Sequence, residues 1–539
     1  MTEPATHDPT PAAGSPTAVA DPAGLVTGRR TTRLDVGVGV LVGLVVAAVV
    51  LVWRSPLVPT DPWHYVMATL DFPSDQWIAL GLTRYGIMLA TIPPALLWKN
   101  AEATYYVWPL LSCAVLAASV YLLGRRFWGV LAGLVAVVVL FANTVLFYNA
   151  SRFYPDVMAM ALVVLALLTA VLARDRGLRG RGAVLWVLAT GFLLGWSFEV
   201  RETAFFSWPV VLAVLTRRGS ALRTWALVAL PVLAWAAVDV AISTLAYGTP
   251  LAKVQALLGM NPEGVGYPPP TSGGPPADLS ERTRGYYLLA VPLRALETRP
   301  DGLWMVATGV LAILALVAGN RALRLMAFGF VSVYALNLLA GGVAVPTRPL
   351  GSIDNPRYWI QYFPPIALVV GGVTALLAAR LARALPRGRR LLRAAAVGGV
   401  AVLVCAVPAH HAQRFMTTTS AFAPNGGDAM ERLRSALEGR DFRVPAVWTD
   451  SRTMRVLPAY QRPVFNGPQV WSGPGERLRP DSQPRPGDAV LYYSAYDDGV
   501  CVHCYESIRP WMEAHPTPPA SWELVYATPD RVVELYLVR

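Results

Sequence analysis

The feature that most constrains this chain is a succession of long apolar runs almost free of charge. A helix that spans a bilayer needs about 20 apolar residues, because the hydrocarbon core offers no water to satisfy backbone groups. Runs of this kind occupy 36–53, 103–123, 130–148, 156–173, 183–198, 203–216, 223–246, 303–319, 325–344, 361–379 and 394–410. The expected fold class is a polytopic α-helical membrane protein with about 11 transmembrane helices. The 203–216 run is short enough to be re-entrant. Composition agrees: 15% of the 539 residues are charged, against about a quarter in a soluble domain.

A net charge of +12 would suit a nucleic-acid binder. The arginines exclude that reading, because they stand in short clusters between apolar runs, as in cytoplasmic loops. One set of connections holds Arg29, Arg30 and Arg33, then Arg125 and Arg126, Arg174 to Arg181, Arg217 and Arg218, Arg321 and Arg324, and Arg383 to Arg393. The other set carries the acids Asp61, Asp71, Asp75, Glu102, Asp156, Glu199, Glu202, Glu263, Glu281 and Asp354. The first set is expected in the cytoplasm and the second outside it. Only one crossing then fits between Asp61 and Arg125. Segment 103–123 takes it, and 85–98, with Pro93 and Pro94, is expected to lie along the outer interface.

These signals divide the chain. Residues 1–33 form a cytoplasmic N-terminus, disordered because its Pro-, Ala-, Thr- and Gly-rich composition cannot bury enough apolar surface. Residues 34–410 form the transmembrane domain, with outer loops 54–102 and 247–302. Residues 411–539 turn polar, and short apolar strands such as 445–449 and 489–493 alternate with helical stretches such as 427–439. They read as a small extracytoplasmic α/β domain. Cys501 and Cys504 form a lone CxxC. Without a second pair this is a poor zinc signal, and in an oxidising compartment a local disulfide is expected. Abundant Arg, Ala, Gly and Val suit a GC-rich bacterial genome, hence a multi-pass protein of the bacterial plasma membrane.

The outer connections pair acids with arginines at one membrane depth. They include Asp61 and His64 after the first run, Arg152 and Asp156, then Glu199, Arg201 and Glu202, and finally Arg357 and Tyr358. Ionisable groups at a membrane boundary are costly facing lipid, so they line a cavity or pair with one another. In a cavity, Asp61 and Asp156 would remove a proton or hold a divalent metal ion, Mg or Mn. Arg84, Arg152, Arg201 and Arg357 would hold a phosphate. Glu199 and Glu202 read equally as supporting groups or as interhelix ion pairs, and His64 as a support or an interfacial anchor.

Five segments make the pattern familiar: Asp61; Thr83-Arg84-Tyr85 before an amphipathic stretch; YLLGRRFWG at 121–129; SRFYPDVMAMAL at 151–162; and NPRYWIQYFPP at 355–365. Their order resembles the GT-C superfamily of membrane glycosyltransferases, close to the protein O-mannosyltransferases and the bacterial aminoarabinose transferases, over roughly 34–410. The resemblance implies a polyprenyl-phosphate-sugar donor, a lipid, glycan or protein acceptor, Asp61 as the base on that acceptor, and Asp156 as the second acid. Many members carry an acidic pair in the first loop, whereas Pro62 follows Asp61 here. The expected activity is sugar transfer, with inversion, on the outer membrane face. A secondary transporter or lipid flippase is the competing reading. The gathering of acids at one face and the lack of an internal repeat weigh against it.

Overall fold

The computed structural model describes residues 32–55, 57, 65, 83–99, 101–178, 180–217, 221–257, 283–344, 353, 355–386, 390–418, 429–451, 453–465, 467–493 and 502–539. Asp61, His64, the Cys501–Cys504 pairing and nearly all of the N-terminal 1–33 segment lie outside these residues.

Every apolar run predicted to cross becomes helical. Among the described residues, eight helices are long and apolar enough to span a membrane: Arg33–Val52, Glu102–Phe127, Pro155–Asp175, Arg181–Val200, Ala221–Tyr247, Arg321–Val343, Pro356–Ala384 and Leu391–Thr418. A ninth span arises if the bent pair Val130–Phe141 and Thr144–Ala150 is taken together. The run 130–148 is thus not one straight helix but breaks by 75°. Asn143 makes the break: its side chain accepts from the backbone N–H groups of Val145 and Leu146, capping a new helix. The 303–319 run forms the shorter helix Gly302–Ala318. The 203–216 run opens as a 3-10 turn, Glu202–Ser207, before the eight-residue helix Trp208–Leu215.

Burial ranks these helices by depth in the bundle. Pro155–Asp175 is almost wholly enclosed by protein, whereas Ala221–Tyr247 and Leu391–Thr418 expose most of their surface. Pro155 stands at the first helical position, where its missing N–H costs nothing, and Asp156 follows in the first turn, where the helix dipole favours a carboxylate. The central helix therefore presents Asp156 at one end of the bundle axis. The helix Tyr85–Trp98 packs beside that end. A β-carbon on Gly86 would come within 2.7 Å of the Val200 backbone nitrogen, so only glycine permits this approach.

The C-terminal domain holds a five-stranded sheet in the order β2-β1-β3-β5-β4, with β1 Val447–Thr449, β2 Gly475–Arg477, β3 Ala489–Tyr493, β4 Trp522–Ala527 and β5 Val533–Val538. β1 runs parallel to β2 and β3, and the other neighbours are antiparallel. One face packs Val490, Tyr492 and Tyr536 with Ile508 and Trp511 of helix Val502–Ala514. On the other, Leu433 and Leu437 of helix Ala429–Leu437 meet Val447, Leu491 and Leu535. The predicted α/β character and the 489–493 strand are present. The domain touches the membrane bundle through Arg54–Glu431 at 3.0 Å, Arg434–Glu102 at 2.7 Å, Tyr460 donating to the Leu57 carbonyl at 2.8 Å, and Ala103 N–H donating to the Val464 carbonyl at 2.9 Å.

Candidate functional site

The site is built where helices break at the Asp156 end of the bundle. Helix Arg181–Val200 stops at Arg201, whose backbone is extended, and a 3-10 turn resumes at Glu202. That break sends neighbouring side chains in three directions. Glu199, in the last helical turn, pairs with Lys253. Arg201 turns to Asp156, with Nη1 at 2.9 Å from Oδ1. Glu202 receives Arg84, with Nη2 at 3.1 Å and Nε at 3.3 Å. A second break supplies Arg357. Asn355 caps the 3-10 turn Pro356–Tyr362 by accepting from the Arg357 N–H, and Trp359 locks it by donating to the Ile353 carbonyl.

Asp156 thus lies between two guanidiniums. Arg201 is 1% exposed, and Nε of Arg357 is 3.6 Å from the other carboxylate oxygen. The rings of Tyr358 and Tyr154 back the two cations: Arg201 sits 4.6 Å from the centroid of Tyr358, and Arg357 4.7 Å from that of Tyr154. Arg201 also donates from Nε to Thr203 Oγ1, which accepts from Gln361 as well. Nη2 of Arg201 is buried with no hydrogen-bond acceptor among the described residues. Tyr65, four residues beyond Asp61, bonds Arg84. Burial pushes its phenol up from its ordinary value, against the pull of Arg84, Arg357 and Arg201. Its ring centroid lies 6.0 Å from the Arg84 guanidinium.

The sequence-predicted residues separate into groups. Asp156, Arg201, Arg357 and Tyr358 converge, and Arg84 adjoins them by pairing with Glu202, the residue after Arg201. Glu199 does not join: with Asp239 it encloses the ammonium of Lys253, itself 5% exposed. Arg152 also has a different neighbour, lying 3.8 Å above the ring of Tyr148. Sequence reasoning missed Tyr65, Lys253 and Asp239. A signal existed for the last two. Lys253 is one of two lysines in an arginine-rich chain, and Asp239 interrupts the apolar run 223–246. An acid within a membrane run needs a partner.

A metal ion fits Asp156 poorly. Among the described residues no three His, Cys, Asp or Glu side chains converge. A carboxylate already flanked by two guanidiniums would also hold a divalent ion against two like charges.

Beside Trp359 opens an apolar cavity of about 410 Å³. Its walls come from helices Arg284–Thr298, Gly302–Ala318 and Arg321–Leu338 and from the segment Trp359–Ile366.

No protein-family model and no curated protein matches the sequence. Solved structures do match in fold. ArnT from Cupriavidus metallidurans in the apo state is similar at TM-score 0.50 and 14% identity, over 93% of this chain and 97% of that one. The same protein bound to undecaprenyl phosphate gives 0.48 and 13% over the same shares. The Archaeoglobus fulgidus oligosaccharyltransferase tethered with an acceptor peptide gives 0.45 and 13%, over 81% of this chain and 64% of that one. Over nearly its whole length the chain shares the polytopic helical fold of apo ArnT.

Proposed function

We propose that this protein is a glycosyltransferase that moves one sugar, with inversion, from a polyprenyl-phosphate carrier to an acceptor outside the cytoplasm. The observation that carries the reading is the buried Arg201–Asp156–Arg357 group, with Arg201 retaining a donor that no described residue accepts. A polyprenyl-phosphate sugar is a phosphodiester of charge −1. When the acceptor hydroxyl attacks the anomeric carbon, the bond from that carbon to the phosphate oxygen breaks and the carrier leaves as a monoester whose charge grows towards −2. Fixed guanidiniums then bind the departing phosphate more strongly than the bound donor, which lowers the barrier. Asp156 holds the two arginines apart and in register, and Tyr358 and Tyr154 fix their planes. Arg84, engaged by Glu202 and Tyr65, extends the same positive surface.

The other parts of the reading follow from position. The 410 Å³ cavity, two residues from Arg357 at Trp359, offers an apolar wall to the proximal isoprene units of the carrier. ArnT, whose fold the chain shares, has been seen bound to undecaprenyl phosphate. Asp61 is the base that the family resemblance implies for the acceptor proton. A metal role would rest with Asp61, since Asp156 is engaged by arginines. The arginine clusters of the opposite connections support a location of this face, and of the C-terminal domain docked on it, outside the cytoplasm.

The test uses purified protein in closed vesicles of bacterial membrane lipid, whose lipids and water supply acceptor hydroxyls, with undecaprenyl-phosphate sugars, following release of undecaprenyl phosphate. Wild type is expected to turn the carrier over, and R201Q to lose turnover. Movement of the intact lipid-linked sugar between leaflets, with no carrier released, would establish the transporter reading instead.

A further inference from the structure

A second arginine pair lies outside the ion-pair network just described. Helix Thr144–Ala150, formed after the break at Asn143, carries Thr144 and Tyr148 one turn apart. Thr144 accepts from Nη2 of Arg299 at 2.6 Å, and the Tyr148 ring carries Arg152 at 3.8 Å. Phe415, from the last long helix, closes the group. Its ring is 5.9 Å from that of Tyr148 and 4.9 Å from the Arg299 guanidinium.

Among the described residues neither arginine has an ion-pair partner. Asp301, two residues beyond Arg299, spends its oxygens on the Thr144 N–H at 3.1 Å and the Thr144 hydroxyl at 2.7 Å. Among the described residues no carboxylate comes within ion-pair distance of Arg152 or Arg299. Arg152 is 6% exposed, and among the described residues its Nε and Nη2 have no hydrogen-bond acceptor; nor has Nε of Arg299. Burial lowers the Arg299 pKa from its ordinary value, opposed by Asp301 and Tyr148. Two largely buried guanidiniums with unused donors on one aromatic pair are costly unless an oxyanion joins them. The turn holding Arg299 also borders the apolar cavity, through Ala295 before it and Met305 after it.

We propose that Arg152 and Arg299 form a second anion subsite, beside the Asp156 centre, that recognises a phosphate group on the acceptor. The proposal rests on the glycosyltransferase reading for the word acceptor, but the subsite itself does not. It makes the acceptor an acidic molecule, either a phospholipid head group or a soluble phosphate-bearing glycan, and it gives Arg152 to the acceptor rather than to the donor.

The experiment measures two affinities on the full chain in phosphatidylcholine nanodiscs, by native mass spectrometry and tryptophan fluorescence. One ligand is undecaprenyl phosphate. The other is a phosphate probe, supplied either as dioleoyl phosphatidic acid or as inorganic phosphate. Wild type is expected to bind undecaprenyl phosphate and the probe together. R152Q and R299Q should weaken the probe by about tenfold or more, the scale of one charged hydrogen bond, and leave undecaprenyl phosphate within about threefold. R152K and R299K, which keep the charge and the fold but lose the planar fork, should fall between. R357K should do the reverse. Binding of phosphatidic acid alone would identify a lipid acceptor, and binding of free phosphate as well a soluble one. Either outcome supports the subsite. Competition between the probe and undecaprenyl phosphate for one place would overturn it, as would probe affinity unchanged in both Gln variants. If wild type binds the probe in an Arg299-dependent way but never binds undecaprenyl phosphate, the donor reading fails and the subsite stands.

Discussion

Arg434 of the C-terminal domain donates to Glu102, at the foot of the second long helix, across 2.7 Å, and both side chains are withdrawn from solvent. Tyr106, one turn beyond Glu102, bonds the other carboxylate oxygen and also the Ser55 carbonyl at the exit of the first helix. The pair therefore ties the sheet domain to the segment that leads towards Asp61. Removing one partner of a buried pair leaves an uncompensated charge and costs about 3–5 kcal/mol. R434A should lower the thermal midpoint of the purified protein markedly, whereas R434M/E102Q, which removes both charges, should recover most of the loss. An R434A midpoint equal to wild type would show that Arg54–Glu431 and the Tyr460 contact hold the domain without it.

The same junction titrates. Burial, and then the neighbouring Glu102 carboxylate, push Glu431 up to about 7, with Arg54 only partly opposing them. A carboxyl whose folded value exceeds its unfolded one binds more protons when folded. Its contribution is therefore greatest below the ordinary glutamate range, near 4.5, and is lost as pH rises from there through about 7. Docking of the C-terminal domain should loosen across that window. Hydrogen exchange of helix Ala429–Leu437 at pH 5 and at pH 8 reads this directly. E431Q should show the same protection at both values relative to the intrinsic exchange rate at each pH, and a wild-type domain better protected at pH 8 on that scale would contradict the assignment.

Lys253 makes a different kind of link. It anchors the short helix Ala252–Leu257 to Glu199 and Asp239, and its ammonium stands over the rings of Tyr85 and Phe198. K253A would strand the buried Glu199 carboxylate and leave the half-buried Asp239 with Ser243, again at a cost of about 3–5 kcal/mol. E199Q should be milder, because Lys253 keeps Asp239. Denaturation of the three proteins in detergent orders them. If K253A and E199Q lose equally, Asp239 contributes nothing to the lysine.

What the sequence could show and what it could not divides along physical lines. Apolar runs report burial in lipid directly, so each one became a helix, and β3 was visible as AVLYY at 489–493. The placement of Asp156 was visible too, since Tyr-Pro-Asp at the head of an apolar run spells a helix start. Pairings were not visible. Arg84 and Glu202 lie 118 positions apart, and nothing local in either segment specifies the other. Glu199, Arg201 and Glu202 looked like one constellation, yet the extended backbone at Arg201 gives each a separate partner. The break at Asn143 was hidden for a similar reason. A single capping residue inside a run that is apolar on both sides barely disturbs the hydropathy, although it builds the helix that holds Arg299.

The last prediction separates the two acids. Asp61 is the base we propose from the family resemblance, while Asp156 is occupied by Arg201 and Arg357. Asn keeps the size of Asp but cannot take a proton. D61N should therefore fold, bind undecaprenyl phosphate as wild type does, and lose about 10²–10⁴-fold in turnover, the usual scale for removing such a group. D156N should behave differently. Without the carboxylate, two buried guanidiniums repel each other and lose their register, so donor affinity and thermal stability should fall together with the rate. The charges also bear on metal dependence. If the arginines alone neutralise the departing phosphate, EDTA should leave wild-type turnover unchanged. Loss of activity in EDTA, restored by Mg or Mn, would return a metal to Asp61 and reduce the arginines to binding groups. Wild-type turnover in D61N would remove it as the base, and the Arg201–Asp156–Arg357 group would remain to be tested through D156N alone.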